Sequence, residues 1–325
     1  MRKYQVVFFG TSEFAVPALD SLLKSQEIEV KTVVTQPDKP TGRHQELTPP
    51  PVKLFLQKAE RTDIPLLQPE ALRKNSDFQK LIEELEPDIF VVVSYGHIIP
   101  KALLDIPKYG AVNIHGSLLP RYRGASPIQQ ALLQGDTTTG VTIMKLSEKM
   151  DEGPVIFLKR MPIEENDTFE TLYKKLAVLG GEFIVPATLD YIDGTLQPIP
   201  QDHARATTCQ KIEKNVGLIE WETMTATQIH NRIRAFTPWP GCFTYWQGKR
   251  LKLIEVETRD GTQTPGTMKI STNTDGQPEL HIGTKEGIIA PQKLQLEGKS
   301  VMDLKTFLNG YGAKIQAADT LSSKV

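Results

Sequence analysis

The sequence holds only two cysteines in 325 residues, Cys209 and Cys242. Two thiols cannot build a disulfide framework or a four-ligand zinc site, so neither is expected to organise the chain. No apolar run approaches the roughly 18–20 residues of a membrane span. The opening segment offers only Val6-Val7-Phe8-Phe9 before Gly10, too short for the core of a secretion signal. A cytoplasmic location and no membrane partner are therefore expected. An excess of charge of one sign is also missing, since the net charge is −1. That balance does not by itself advertise a polyanionic partner. The charge is unevenly placed, however. From Thr207 onward there are 15 Lys and Arg against 12 Asp and Glu, a local +3 that leaves −4 for the rest. A mildly basic second part is compatible with contact to nucleic acid there.

Glycine is scarce where a dinucleotide site would begin. The turn Phe8-Phe9-Gly10-Thr11-Ser12-Glu13-Phe14 supplies only Gly10, where G-x-G-x-x-G needs three. The backbone cannot come close to a pyrophosphate, so a nicotinamide or flavin cofactor is excluded. No internal repeat or low-complexity segment is present.

What is present in the first half is an alternation of strand and helix signals. Gln5 to Phe9, Val30 to Thr35, Ile89 to Val93 and Ala111 to Ile114 are short apolar runs. Between them fall helical stripes: Phe14, Ala18, Leu19, Leu22 and Leu23, then Phe78 to Leu85. Near-continuous Val and Ile suit parallel strands covered on both faces. Gly140 to Leu146 and Val155 to Ile163 look like an antiparallel pair around the turn Asp151-Glu152-Gly153. The expectation is an α/β fold, a Rossmann-like doubly wound domain. Residues near 190–210 lack periodicity and read as a linker, with Gly194, Pro198 and Pro200. After a helix at Thr225 to Phe236 come short strands: Cys242 to Trp246, Lys252 to Val256, Gly266 to Ile270, Glu279 to Ile282 and Ile288 to Ala290. This spacing predicts a smaller C-terminal β-barrel, OB-like. The expected division is 1–206 and 207–325.

The densest stretch is Asn113-Ile114-His115-Gly116-Ser117-Leu118-Leu119-Pro120-Arg121-Tyr122-Arg123-Gly124. On a strand, residues i and i+2 face one side, so Asn113 and His115 project together at a strand's carboxyl end. In open α/β sheets that edge binds ligands. An amide beside an imidazole suits acyl transfer. Attack on an acyl carbon makes an oxyanion, which preorganised donors stabilise by about 3–4 kcal/mol each. Imidazole, with a reference pKa near 6.5, can donate to that oxygen or carry a proton at neutral pH. Taken alone, an Asn-x-His pair is also compatible with a structural role. No third ligand with suitable spacing makes it a metal pair. Asp151 alone reads as ordinary turn chemistry.

Together these residues are similar to the folate-dependent formyltransferase family. Asn113, His115 and Asp151 fall on its Asn…His…Asp catalytic set. Ser117-Leu118-Leu119-Pro120 matches its folate-associated signature, and Gly140-Val141-Thr142-Ile143-Met144 matches the approach to its aspartate. The resemblance, not the spacing, links Asp151 to His115. Within the family the chain resembles, over its full length, the branch that acts on methionyl-tRNA. The shared segments include Gln36-Pro37-Asp38-Lys39-Pro40-Thr41-Gly42-Arg43, Pro51-Val52-Lys53, Arg121 to Gln129, and Arg234-Ala235-Phe236-Thr237-Pro238-Trp239-Pro240.

The resemblance implies 10-formyltetrahydrofolate as co-substrate, with no metal and no NAD, and initiator methionyl-tRNA as acceptor. The products would be N-formylmethionyl-tRNA and tetrahydrofolate. Catalytic roles go to Asn113, His115 and Asp151. Folate contacts go to Ser117, Leu118, Leu119 and Pro120, and to backbone near Tyr95 and Gly96; His97 reads as a rim residue. Arg43, in a projecting Pro- and Gly-containing loop, is the position that meets tRNA. Relatives often carry lysines after it, whereas His44-Gln45-Glu46 follow here. A monomer is expected. Three other readings stay open: a glycinamide ribonucleotide or amino-sugar nucleotide acceptor, hydrolysis of formyl-folate, and a binding module without activity. The segment after 207 argues against the first, because it neither is absent nor reads as a second βαβ domain.

Overall fold

Five successive side chains, Ile89 to Val93, are all buried, and Val6 to Phe9 are fully so. A strand buried on both faces must lie inside a sheet covered by helices. The computed structural model describes residues 2–42, 45–272, 276–315 and 320–322. It divides into two units. The first comprises Met1–Gly124, Thr138–Pro162 and Tyr173–Cys209. The second comprises Ala125–Thr137, Ile163–Leu172 and Gln210–Val325.

In the first unit the strands are β1 (Tyr4–Gly10), β2 (Ile28–Val34), β3 (Leu66–Leu67), β4 (Ile89–Val93), β5 (Ala111–His115), β6 (Thr138–Lys145) and β7 (Val155–Pro162). They form one seven-stranded sheet in the order β7-β6-β5-β4-β1-β2-β3. From β5 to β3 all neighbours are parallel. β6 and β7 are antiparallel to their neighbours, as the turn between them predicted. The order reverses direction at β1, between β2 and β4. That is the topological switch point, with the carboxyl ends of β1, β4 and β5 along one edge.

Helix α1 (Val16–Lys24) carries Pro in its first turn, where no N–H is needed. Helix α2 spans Pro51–Lys58 and α3 spans Ser76–Glu84. Asn75 caps α3 by accepting the Phe78 N–H at 3.0 Å. One core cluster joins Phe78 and Ile82 of α3 to Phe9, Phe90, Val92 and Tyr95. Each such side chain contributes roughly 1.5–3 kcal/mol by leaving water.

A helix that the sequence pattern did not foretell, α5 (Phe169–Ile192), follows the short α4 (Pro127–Leu133). Its glycines permit close approach to the first unit's core. A Cβ on Gly180 would lie 2.8 Å from the Ile114 side chain, and one on Gly181 would lie 2.8 Å from the backbone of Pro17. Ile114 sits between Asn113 and His115, so this packing sets the height of the strand that carries them.

In the second unit, α6 (Ala226–Phe236) begins with a capping box in which Thr225 and Gln228 serve each other's backbone N–H groups. The strands are β8 (Cys242–Trp246), β9 (Lys249–Arg259), β10 (Met268–Thr272), β11 (Pro278–Gly283), β12 (Ile288–Leu296) and β13 (Met302–Asp303). Helix α7 (Leu304–Tyr311) follows. The sheet order is β8-β9-β12-β11-β10, with β13 on β12 and every pairing antiparallel. Both edges meet the same late segment: Tyr245 bridges Ser322, and Thr267 bridges Thr320. That closes the sheet into the small barrel the strand spacing predicted. Among the described residues no helix is long and apolar enough to cross a membrane.

Candidate active site

β5 delivers Asn113 and His115 to the carboxyl edge of the first unit's sheet. In register, Asn113 stands beside Val92 of β4 and Met144 of β6, and His115 stands beside Thr142. Asn113 is half-buried, and its amide makes no hydrogen bond among the described residues. His115 is buried.

The ring of His115 is anchored on one side only. Nε2 lies 2.9 Å from the carbonyl oxygen of Tyr122, which can only accept, so Nε2 carries the proton. Nδ1 faces Oδ2 of Asp151 at 3.6 Å. That gap exceeds a hydrogen bond. The Nδ1 edge is therefore the one open to a third group, and a proton placed there meets a carboxylate. Asp151 itself is held through Oδ2, which accepts the Gly124 N–H at 2.8 Å. Its other oxygen makes no hydrogen bond among the described residues. An amide, an imidazole edge and a carboxylate oxygen thus remain available on one edge of one sheet.

The frame is strained. Tyr122 (φ 61°), Asp151 (φ 54°) and Ser94 (φ 46°) all adopt left-handed backbone, and Gly124 has φ 115°. Such outliers persist only where surroundings hold them, and they concentrate at functional sites. A Cβ on Gly124 would fall 2.2 Å from the carbonyl oxygen of Cys209, so glycine is required there.

The Ser117 to Pro120 signature is a turn held by its neighbours. The Ser117 hydroxyl donates to the Arg121 carbonyl at 2.7 Å. The Thr142 hydroxyl donates to the Ser117 carbonyl at 2.6 Å and accepts the Leu119 N–H at 3.1 Å. Leu118 and Pro120 remain half-exposed. Ser117 therefore shapes the turn with its hydroxyl and leaves the outward face to Leu118 and Pro120.

Tyr95 points inward. Its ring packs on Phe9 at 5.4 Å, its hydroxyl has no partner among the described residues, and burial pushes the phenol up to about 12. Its carbonyl is already taken by the Thr11 hydroxyl and the Gln36 amide, each at 2.8 Å. Gly96 is exposed, and its φ of 86° suits glycine. His97 is exposed and rests edge-on against Tyr95. Ile98 is 67% exposed, an apolar side chain standing out at this loop. Arg43 and His44 lie outside the described residues; the flanking segments Lys39–Thr41 and Glu46–Thr48 pair as an antiparallel ribbon.

Residues that sequence reasoning did not single out complete the frame. The Tyr122 N–H donates to the Thr207 hydroxyl at 2.9 Å, and the Arg123 N–H donates to the Thr207 carbonyl at 2.8 Å. Thr208–Cys209 pairs in parallel with Arg123–Gly124. The segment expected as a linker is thus stitched to the loop that holds His115 and Asp151. The only sequence signal for it was a pair of β-branched residues, Thr207-Thr208, among polar ones.

Comparison with known proteins is decisive here. A family profile described as formyl transferase matches residues 3–188, and one described as formyl transferase, C-terminal domain matches residues 211–312. The chain belongs to the formyl transferase family. Membership places it among the enzymes of one-carbon transfer. A protein of Caldicellulosiruptor saccharolyticus named methionyl-tRNA formyltransferase is 42% identical over 317 residues, covering 98% of this chain and 99% of the relative. A protein of the same name from Myxococcus xanthus is 43% identical over 311 residues, covering 96% of each. Among solved structures, the sugar 3N-formyl transferase WlaRD, in the presence of dTDP and 5-N-formyl-THF, superposes with a TM-score of 0.63 at 19% identity, over 92% of this chain and 100% of that one. HypX from Aquifex aeolicus in complex with tetrahydrofolic acid gives a TM-score of 0.57 at 17% identity, over 95% of this chain and 48% of that one. At these identities the structures speak for the fold of the family alone.

Proposed function

We propose that this chain transfers the formyl group of 10-formyltetrahydrofolate to the α-amine of initiator methionyl-tRNA, giving N-formylmethionyl-tRNA and tetrahydrofolate. The observation that carries this reading is the likeness, across both units, to bacterial relatives named for that activity. The site chemistry supports it. In the proposed reaction the amine attacks the formyl carbon. The Asn113 amide and a protonated Nδ1 of His115 face the oxygen on which charge develops. The free carboxylate oxygen of Asp151 takes the amine's proton, while its other oxygen stays on the Gly124 N–H. The C–N bond to the folate then breaks, and the proton passes to the leaving nitrogen. Leu118, Leu119 and Pro120, with the exposed main chain at Gly96, are proposed to line the folate. Ser117 and Tyr95 contribute there through backbone placement rather than through their side-chain oxygens.

Residues 1–206 are proposed to carry the chemistry and residues 207–325 the contact with tRNA. Arg43 is proposed to meet the tRNA from the first part. Arg43→Ala should raise KM for tRNA and flatten its salt dependence while leaving KM for the folate unchanged. Unchanged tRNA kinetics would remove that loop from the interface. The active species is taken to be a cytoplasmic monomer, for which light scattering should read a mass near 36.3 kDa. A competition assay tests the function itself. Formyl-folate is offered together with methionyl-tRNA, glycinamide ribonucleotide and an amino-sugar nucleotide. Only methionyl-tRNA should gain the formyl group; preferential formylation of either other acceptor would overturn the assignment.

A further inference from the structure

Asp151 is gripped at its side chain by Gly124, but its main chain is gripped elsewhere. The residue lies in left-handed backbone at φ 54°, and the turn it occupies is pressed hard against β6. A Cβ on Gly153 would fall 1.7 Å from the Lys145 carbonyl oxygen. The carboxamide of Gln201 reaches into this turn. Its Nε2 donates to the carbonyl of Asp151 at 2.8 Å and to the carbonyl of Gly153 at 2.7 Å. Its Oε1 accepts from Arg123 twice, from Nε at 3.1 Å and from Nη2 at 2.8 Å. Both donors and both lone pairs of one amide are therefore used. The orientation of the amide is settled by chemistry, since guanidinium only donates and the two carbonyls only accept.

Gln201 and Arg123 are both buried. Arg123 adjoins Gly124, the residue whose N–H holds the Asp151 carboxylate. Arg123 also meets His203 Nδ1 at 3.2 Å through Nη2 and lies 3.6 Å from Glu152 through Nη1. The two grips on Asp151, side chain and main chain, thus both return to Arg123–Gly124, with Gln201 closing the ring.

We propose that Gln201 is a positioning residue for the transfer reaction, holding the Asp151 turn so that its carboxylate faces the Nδ1 edge of His115. This rests on the catalytic role proposed for Asp151. Gln201 touches no reacting atom. It acts by fixing a strained turn whose displacement by about an ångström costs roughly a hundredfold in rate at a reacting centre.

The discriminating substitution is Gln201→Glu. It keeps the shape and gives Arg123 a charged partner, but it sets an acceptor against the two carbonyls. Formyl transfer by the full-length protein is followed in single turnover with formyl-folate and methionyl-tRNA across pH, beside KM values and a thermal melt. The thermal midpoint should fall while the protein stays folded at the assay temperature, and both KM values should stay near native. kcat should fall roughly tenfold to a hundredfold, and part of the loss should return as the pH is lowered and the new carboxyl regains a proton to donate. A kcat within about twofold of native, or a loss without that acid recovery, overturns the proposal. If Gln201→Glu does not fold, Gln201→Met replaces it: a similar length without donors should lose at least about tenfold in kcat, and native turnover by that variant overturns the proposal. Asp151→Asn run in parallel separates the two claims. An inactive Asp151→Asn beside a normal Gln201→Glu sinks only the positioning role, whereas an active Asp151→Asn sinks the role of Asp151 itself.

Discussion

The two units put their unusual features in different places. Of the eight described non-glycine residues with positive φ, seven lie in the first unit, and Ser94, Tyr122 and Asp151 stand at the carboxyl edge of its sheet. The second unit has one, Gln247, in the tight turn with Gly248 that joins β8 to β9. There, positive φ at both central positions is what a two-residue hairpin requires. In the barrel, strain is local turn chemistry. At the carboxyl edge of the first unit's sheet it is held by contacts from far along the chain, such as Gln201 to Asp151 across 50 positions. The comparison teaches that the barrel's positive-φ turn is written locally, whereas the strained backbone of the catalytic edge exists only once distant segments have met.

Substitutions should separate the two regimes. The largest effect belongs at the sheet edge. His115→Ala or Asp151→Asn should lower single-turnover transfer by about 10²–10⁴, with a melting temperature close to native. A large loss of stability instead would mean that these groups hold the fold rather than serve the chemistry. Next comes the barrel core. Phe307 is fully buried and packs on Trp246 at 5.8 Å, so Phe307→Ala should cost about 3–5 kcal/mol in a denaturant melt read by tryptophan fluorescence. A cost below about 1 kcal/mol would show that the barrel is not held by this core.

Smaller, and opposite in sign, is Tyr95→Phe. The hydroxyl it removes is buried without a partner among the described residues, so the variant should be more stable by about 1 kcal/mol and unchanged in kcat. The pH dependence follows the same burial. Because burial raises the folded phenol to about 12 from an ordinary 10, Tyr95 leaves stability independent of pH below 10. Stability then falls as pH rises from 10 through 12, where the unfolded phenol ionises first, and Tyr95→Phe should flatten the curve in that window. A loss of folate binding in Tyr95→Phe would place the ring in the site instead of the core. Smallest of all, Gln247→Asn should stabilise the β8–β9 turn by a few tenths of a kcal/mol, with no effect on transfer.

What the sequence disclosed follows the same divide. The Val and Ile runs of β1, β4 and β5 read directly as buried parallel strands, and the pattern from Thr225 to Phe236 read as the helix that became α6. Asn113 and His115 could be placed on one face because a strand repeats every two residues. Helix α5 stayed hidden because its buried residues, Leu172 and Leu176 with Ala177, Thr188 and Ile192, spread well beyond one narrow stripe, and Gly180, Gly181 and Pro186 read as breakers. Asp151 was joined to His115 only through family likeness, since 36 positions of chain separate them and no local period spans such a gap. Gln201 and Thr207 were lost in a stretch that reads as linker. Their partners lie on loops whose positions only the folded sheet determines.

The central claim is that the imidazole of residue 115 and the carboxylate of residue 151, 3.6 Å apart, work as one unit on a substrate at the sheet edge. A double-mutant cycle in single-turnover transfer, with His115→Ala, Asp151→Asn and the pair combined, tests it most directly. The account predicts a double variant no more than a few-fold slower than the worse single one. Losses that simply multiply would contradict it.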